Sequence, residues 1–316
     1  MDNQKATPLL LTTLALSVCV VVCLYMTWNV NVYTWPFRLT KLISLVLIAY
    51  TIAVSTVLFQ TIINNRLLTP SIMGFDQLYI LIKTMALYFI GSFSLPFLNA
   101  EGQFILEVFI LIIFAISLFS WLFSGSLKGI HLTLLIGVIF GGFFFSLRMF
   151  MQLQLNPDQV MYLTDIMFAN FNKFNTSLIN FTTIVVIIIS LIGWRYRHLF
   201  DAIALGREAA INIGVDYQKN ATVILIFVSI LVSISTVLVG PVTFFGLLVA
   251  NLSYAISPQS KHSVVVPIAI LLAIICLVGG QFILEQIFHM AGRLSFIIEF
   301  CGGIVFLTLL MKEKVK

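Results

Sequence analysis

The sequence predicts an all-α, polytopic membrane protein of about ten transmembrane helices, each needing about 20 mostly apolar residues. Three observations carry that expectation. The 316 residues are 60% hydrophobic and only 9% charged, against about 25% charged in an average soluble protein. The apolar residues fall in long continuous runs, which excludes the alternating pattern of a membrane β-barrel. Most of the charge sits between those runs, with turn-forming Gly, Pro and Asn.

In chain order the runs are 9–28, 40–62, 77–98, 104–123, 130–150, 178–194, 220–239, 243–257, 264–284 and 296–311. Before the first, the only charged residues are Asp2 and Lys5, and no small-x-small cleavage pattern follows it. That run is therefore expected to stay as an anchor. The runs at 243–257 and 296–311 are short for a crossing. Residues 1–316 are expected to form a single transmembrane domain.

Orientation follows the excess of Lys and Arg in cytoplasmic loops. With a cytoplasmic N-terminus, the inner segments hold Lys5, Arg66, Lys128, Arg195, Arg197, Arg207, Lys219, Lys261, Lys312, Lys314 and Lys316. The outer segments hold Arg38, Lys41, Arg148, Lys173 and Arg293. Both termini and the segment 195–219 are thus expected on the cytoplasmic side. The formal net charge of +5 is what such a topology requires, and it calls for no nucleic-acid partner.

Several chemistries find little support. No G-x-x-x-x-G-K-[ST] occurs; the nearest cluster, "GSLKG" at 125–129, has the wrong spacing for a phosphate loop and reads as a tight inner turn. Any ATP hydrolysis is expected from another subunit. The spans carry few central charges. Lys83 is read as snorkelling to the inner headgroups, and Glu107 and Glu299 as lying near the outer interface. His198 and Asp201 form a cytoplasmic cluster that reads as an interfacial polar turn or as an acid/base pair, while His131, His262 and His289 are scattered. Cys19, Cys23, Cys276 and Cys301 read as apolar packing, with no metal-ligand spacing. An integral-membrane enzyme and an ion-coupled carrier stand as the alternatives to a permease.

Four segments are more than lipid-facing helix. In "FQTIINNRLLTPSIMGFDQLY", residues 59–79, Asn64, Asn65 and Arg66 end a helix, Pro70 restarts the chain and Gly74 permits close backbone approach. Backbone left outside a helix at membrane depth must be covered by protein or water, so this break faces a pathway or a subunit interface, or is an ordinary inner loop. At Gly240-Pro241 a second break separates two apolar pieces that read as packed half-lengths. The outer loop 148–177 reads as a short amphipathic cap or a plain surface loop. In the inner segment, "ALGREAAINIGVD" (204–216) belongs to one or two short amphipathic helices spanning Phe200 to Ile213 and ended by Gly214. Gly206 leaves room for a partner surface to come close to the backbone.

These features in this order resemble the permease subunits of bacterial ATP-binding-cassette importers for iron chelates and vitamin B12, the FecCD or BtuC-like family, along nearly the whole chain. Arg38-Leu39-Thr40-Lys41 is similar to the family's outer Arg-Leu-Pro-Arg. Gln60, Asn65, Pro70 and Gly74 match its Gln followed by Asn-Pro-Leu-Ala-x-Pro-x-x-x-Gly, with Arg66 in place of the first proline. Leu205-Gly206-Arg207-Glu208-Ala209-Ala210-Ile211-Asn212-Ile213-Gly214 resembles Leu-Gly-Glu-x-x-Ala-x-x-Leu-Gly. Gly240-Pro241-Val242-Thr243-Phe244-Phe245-Gly246-Leu247 resembles Gly-x-Ile-x-Phe-x-Gly-Leu. The chain departs at Ala250-Asn251, where the family has Pro-His, and around Gly292-Arg293-Leu294-Ser295, where it has Glu-Leu-Pro-x-Gly.

The resemblance implies a type II ABC importer permease in the cytoplasmic (inner) membrane of a bacterium. It implies a second permease subunit, identical or related, two cytoplasmic ATPases and an external siderophore-binding protein. No cofactor is bound by this chain, and ATP is used by the partners. Leu205, Gly206, Arg207, Glu208, Ala209 and Gly214 would couple to the ATPase, and Arg38 and Lys41 would meet acidic residues of the binding protein. Gln60, Asn65, Pro70, Gly74, Gly240, Pro241, Phe244 and Gly246 would lie at the helix breaks of the pathway. The departures are similar to the ferric-siderophore branch, particularly the catecholate type, more than to the vitamin B12 branch.

Overall fold

Continuous apolar runs can satisfy their backbone in lipid only by helix formation, and each predicted run coincides with a helix. The computed structural model describes residues 2–28, 33, 35–91, 99–123, 130–172, 176–289 and 292–313. In chain order the helices are α1 (Asp2–Thr27), α2 (Trp35–Ile63), α3 (Phe75–Ile90), α4 (Ala100–Phe123), α5 (Ile130–Gln152), α6 (Pro157–Ile166), α7 (Thr176–Arg195), α8 (Arg197–Ala204), α9 (Arg207–Asn212), α10 (Tyr217–Val239), α11 (Thr243–Ile256), α12 (His262–Gln286) and α13 (Leu294–Glu313). Among the described residues, 7 helices are long and apolar enough to cross a membrane, and α11 and part of α13 are shorter apolar helices. The "GSLKG" turn and Lys173 lie outside the described residues.

The helices differ in what covers them. In its most apolar stretch α2 has 78% of residues buried within the chain, against 6% for α1. Nearly equal hydropathy thus serves a protein core in one case and a surface this chain leaves largely uncovered in the other. Helix ends follow local chemistry. Asn156 and Gln159 form a capping box at α6, which makes part of the outer loop the short helix the sequence allowed. Gly91 closes α3 with its N–H on the Leu87 carbonyl, seven residues before the predicted end of that run at 98.

Contacts group the chain into two compact units, each built from separated stretches. One comprises Met1–Val57, Phe171–Asp201 and Phe244–Lys316, the other Leu58–Asn170 and Ala202–Thr243. In the first unit α12 packs along α1. Its loops segregate to opposite ends of α12: Asp201 meets His262 at one, and Lys41 and Gln281 share Asn172 at the other. In the second unit α4 packs on α10 and α3 on α5. Its core includes Leu78, Leu81, Leu111, Phe144 and Met151, with Phe114 and Phe140 against it.

Candidate functional site

The break between α2 and α3 is folded into the second unit. Gln60, buried at the end of α2, donates from Nε2 to the Arg66 carbonyl at 2.7 Å. Asn65 accepts the Leu67 N–H on its side-chain oxygen at 2.8 Å and donates its own N–H to the Gln60 carbonyl at 3.2 Å. The two predicted polar residues therefore satisfy backbone groups that the broken helix leaves open. Pro70 starts a 3-10 turn, Ser71–Met73, which ends at Gly74 in a left-handed conformation, φ 96°. A Cβ on Gly74 would sit 3.1 Å from backbone atoms of Gly141. Gly141 is halfway along α5, so the turn lies at mid-helix depth and is no surface loop.

That depth exposes a residue the sequence reading passed over. Asp76, in the first turn of α3, is buried, 4% exposed. The Thr243 hydroxyl at the start of α11 donates to its Oδ2 at 2.9 Å. Its Oδ1 has no protein partner among the described residues. The first turns of two short helices thus meet at one carboxylate, where the positive ends of their dipoles favour an anion. Asp76 directly precedes the apolar run 77–98, so run length alone gives it no place among the buried residues.

The same depth corrects Lys83. Lys83 does not snorkel to the headgroups. Its ammonium pairs with Glu107 Oε1 at 2.5 Å, both side chains nearly covered, and Gln103 donates to the same oxygen at 2.9 Å. Because α3 starts deep, Lys83, about 12 Å further along it at 1.5 Å per residue, reaches the first turns of α4. Glu107, in the second turn of α4, is likewise buried among helices.

At the second break Gly240 turns the chain after α10. A Cβ there would lie 3.3 Å from the Ile166 carbonyl oxygen, and Val239 accepts the Asn170 N–H at 2.8 Å. Pro241 and Val242 are buried. Only the second piece is a half-length: α10 has 23 residues and α11 has 14, because α10 runs whole from Asp216 to Gly240. Two glycines fit α11 tightly into the first unit. A Cβ on Gly246 would collide with the Thr56 hydroxyl, and one on Gly302 of α13 would sit 2.7 Å from Phe244 Cβ.

Arg38 and Lys41 gather at one end of the first unit, turned toward their own chain. Arg38 donates to the carbonyls of Tyr25 at 2.7 Å and Trp28 at 3.0 Å. Lys41 donates to Glu285 at 2.7 Å and to Asn172 at 2.6 Å. Gln281 joins Asn172 and Glu285 at 3.2 and 2.9 Å. Glu285 and Asn172 carried no signal in the sequence, since their partners are far away along the chain.

The segment 205–214 is arranged oppositely to the buried break. Two short helices form, α8 and α9, with the corner at Leu205-Gly206. Gly206 has φ 90° and ψ 165°, a region open essentially to glycine alone, and no heavy atom within 4 Å of a Cβ built on it. Gly214 also lies in open space at φ 84°. Leu205, Arg207, Glu208, Ala209, Ile211 and Ile213 are exposed, while Phe200, Ile203 and Ala210 are buried. Asp216 caps α10 by accepting the Lys219 N–H at 3.3 Å. That bond holds its carboxyl below the usual range.

His198 and Asp201 do not pair. His198 lies beside Arg197, 3.4 Å away, whereas Asp201 Oδ1 accepts both the backbone N–H of His262 at 2.8 Å and a hydrogen bond from its ring Nδ1 at 2.7 Å. Helical spacing puts residues 198 and 201 near each other, but the long-range contact wins because it also supplies the missing cap of α12, where Lys261 offers no side-chain bond.

The comparisons with known proteins agree with this architecture. The petrobactin import system permease protein YclO of Bacillus subtilis (strain 168) is 44% identical over 281 residues, 89% of either chain. The petrobactin import system permease protein FatC of Bacillus anthracis is 33% identical, over 88% of this chain and 78% of its own. A solved inward-facing metal-chelate-type ABC transporter superposes with a TM-score of 0.82 at 18% identity, over 97% of this chain and 99% of its own, a likeness of fold. The model of the FecCD transport family matches residues 7–312, and the chain, a multi-pass membrane protein, belongs to that family.

Proposed function

We propose that this chain is the permease subunit of an ATP-binding-cassette importer that passes a ferric siderophore, petrobactin or a related catecholate type, across the cytoplasmic membrane. The observation that carries the reading is the 44% identity to a petrobactin import permease along 89% of both chains. The chain works in one transmembrane domain beside a second permease subunit, identical or related. Two ATPases on the cytoplasmic face supply the energy, and this chain has no ATPase site and binds no cofactor. Both termini and the segment 195–219 face the cytoplasm, by the distribution of Lys and Arg.

In this reading the exposed face of Leu205, Gly206, Arg207, Glu208, Ala209 and Gly214 docks into the ATPase. The breaks at Gln60, Asn65, Pro70, Gly74, Gly240, Pro241, Phe244 and Gly246 flank the pathway. A siderophore-binding protein docks at the end that holds Arg38 and Lys41, where its acidic groups add to the neutralisation already supplied by Glu285. The test is uptake of radioiron by cells expressing the chain with its ATPase and binding protein, supplied as ferric petrobactin, a ferric hydroxamate or, in parallel, labelled vitamin B12. Uptake of ferric petrobactin alone is the expected result. Equal uptake of the hydroxamate would remove the catecholate assignment, and no ATP-dependent iron uptake at all would remove the import reading.

A further inference from the structure

The polar contacts at the two ends of α12 are joined by one uninterrupted helix. At its start, the double hydrogen bond from His262 to Asp201 Oδ1 fastens α12 to α8, whose next residues in the chain are the Leu205-Gly206 corner. The imidazole is 5% exposed, and the Phe200 ring stands edge-on to it at 6.1 Å between centroids. One oxygen thus caps the helix and orients the ring. At the far end, Glu285 is the shared acceptor for Lys41 at 2.7 Å, Gln281 at 2.9 Å and Tyr25 at 3.4 Å, with Arg38 at 4.0 Å. The 25 residues of α12 span about 37 Å at 1.5 Å per residue. Pro267 lies in its second turn, where its missing N–H leaves the Ser263 carbonyl without its ladder bond, and the chain is nonetheless helical from His262 to Gln286.

We propose that the Asp201–His262 contact is a transmission joint: it makes α12 a rod that links the position of the ATPase-facing segment to the Lys41–Glu285–Asn172 cluster at the opposite membrane face. Asp201 and His262 are positioning residues, since neither touches cargo or nucleotide. The proposal rests on the import reading for the identity of the two faces. Its physical content is that α8 cannot tilt or withdraw without either pulling α12 or giving up both bonds to one carboxylate oxygen. By linkage, what one end does to the other must be reciprocal.

The test uses the whole complex in lipid nanodiscs: this permease with its partner subunits, ATPases and the binding protein loaded with ferric petrobactin. The affinity of the loaded binding protein is measured with and without ATP under conditions that block hydrolysis. In the unaltered complex ATP is expected to change that affinity about fivefold or more, the usual range of coupling between sites. In Asp201→Ala and His262→Ala the ATP-dependent change is expected to vanish, the affinity without ATP staying within about twofold, and the double variant is expected to behave like either single one. A purely structural role would lower assembly or the ATP-free affinity instead, and that result overturns the joint. So does an ATP-dependent change that survives in the variants, or that is absent from an unaltered complex still importing iron. Failure of the unaltered complex to import iron is a separate result and strikes the import reading itself.

Discussion

Two short, polar, glycine-bearing stretches interrupt the apolar helices, and they have opposite fates. Residues 64–76 fold inward: Gly74 lies against the backbone of Gly141, Gln60 and Asn65 satisfy the open backbone, and Asp76 is buried. Residues 205–214 turn outward: Gly206 and Gly214 have empty space beside them, and Leu205, Ile211 and Ile213 stand exposed. Glycine serves close packing in the first and a backbone corner in the second. The difference teaches that a break in a membrane helix can be kept inside where protein covers it and side chains such as Gln60 and Asn65 take up backbone groups the helix no longer bonds. Exposed aliphatic residues on a corner held by few internal contacts instead suit a surface that another protein covers.

The largest effect should come from the buried stretch. Gly74→Val combines a strained left-handed conformation with a branched side chain whose Cβ alone would stand 3.1 Å from the Gly141 backbone, together as much as about 6 kcal/mol. Loss of folded protein from detergent extracts, read by size-exclusion chromatography, is expected; a normal yield would mean the turn does not pack on α5. Next, Lys83→Met leaves Glu107 buried without its cation, Gln103 still donating to it, a cost of about 3–5 kcal/mol. Melting in detergent should fall, and Lys83→Met combined with Glu107→Leu should recover much of the loss. No recovery would show that the two residues are not paired.

The exposed stretch should respond in function more than in folding. Gly206→Trp strains only the corner, about 1–3 kcal/mol, and blocks the open side. Iron uptake is expected to drop about tenfold, within the usual range of inter-site coupling, at an unchanged membrane level. A parallel loss of protein level would erase the contrast with Gly74. The smallest effect belongs to Asp216. Its carboxyl is held below the ordinary value by the Lys219 N–H, so its contribution is present above about pH 4, the unfolded value, and fades as pH falls through the lower folded value. Asp216→Ala should lower the melting temperature slightly at neutral pH and leave it unchanged at strongly acid pH; an equal loss at both would exclude the cap.

Much of this was legible in the residues. Apolar run length placed the helices, since lipid leaves a chain no other local solution, and the Pro and Gly positions marked both breaks and the corner between α8 and α9. What a single run could not reveal was which side chains meet across it. Lys83 read as snorkelling because its depth was counted from the wrong boundary; the inward fold of residues 64–74 set the true one. Asp201 was grouped with His198 by helical spacing, while its partner His262 lies 61 residues on.

The sequence by itself thus determined the all-helical class, the breaks and the family resemblance, because these rest on hydropathy, backbone preference and local motifs. Tertiary structure alone decided that Asp76 joins Thr243, that Lys83 and Glu107 neutralise each other, and that Arg38 and Lys41 face Glu285 and their own chain. The physical reason is desolvation: a buried charge or open backbone group must find a partner, and in a folded chain that partner is chosen by packing and not by distance in sequence.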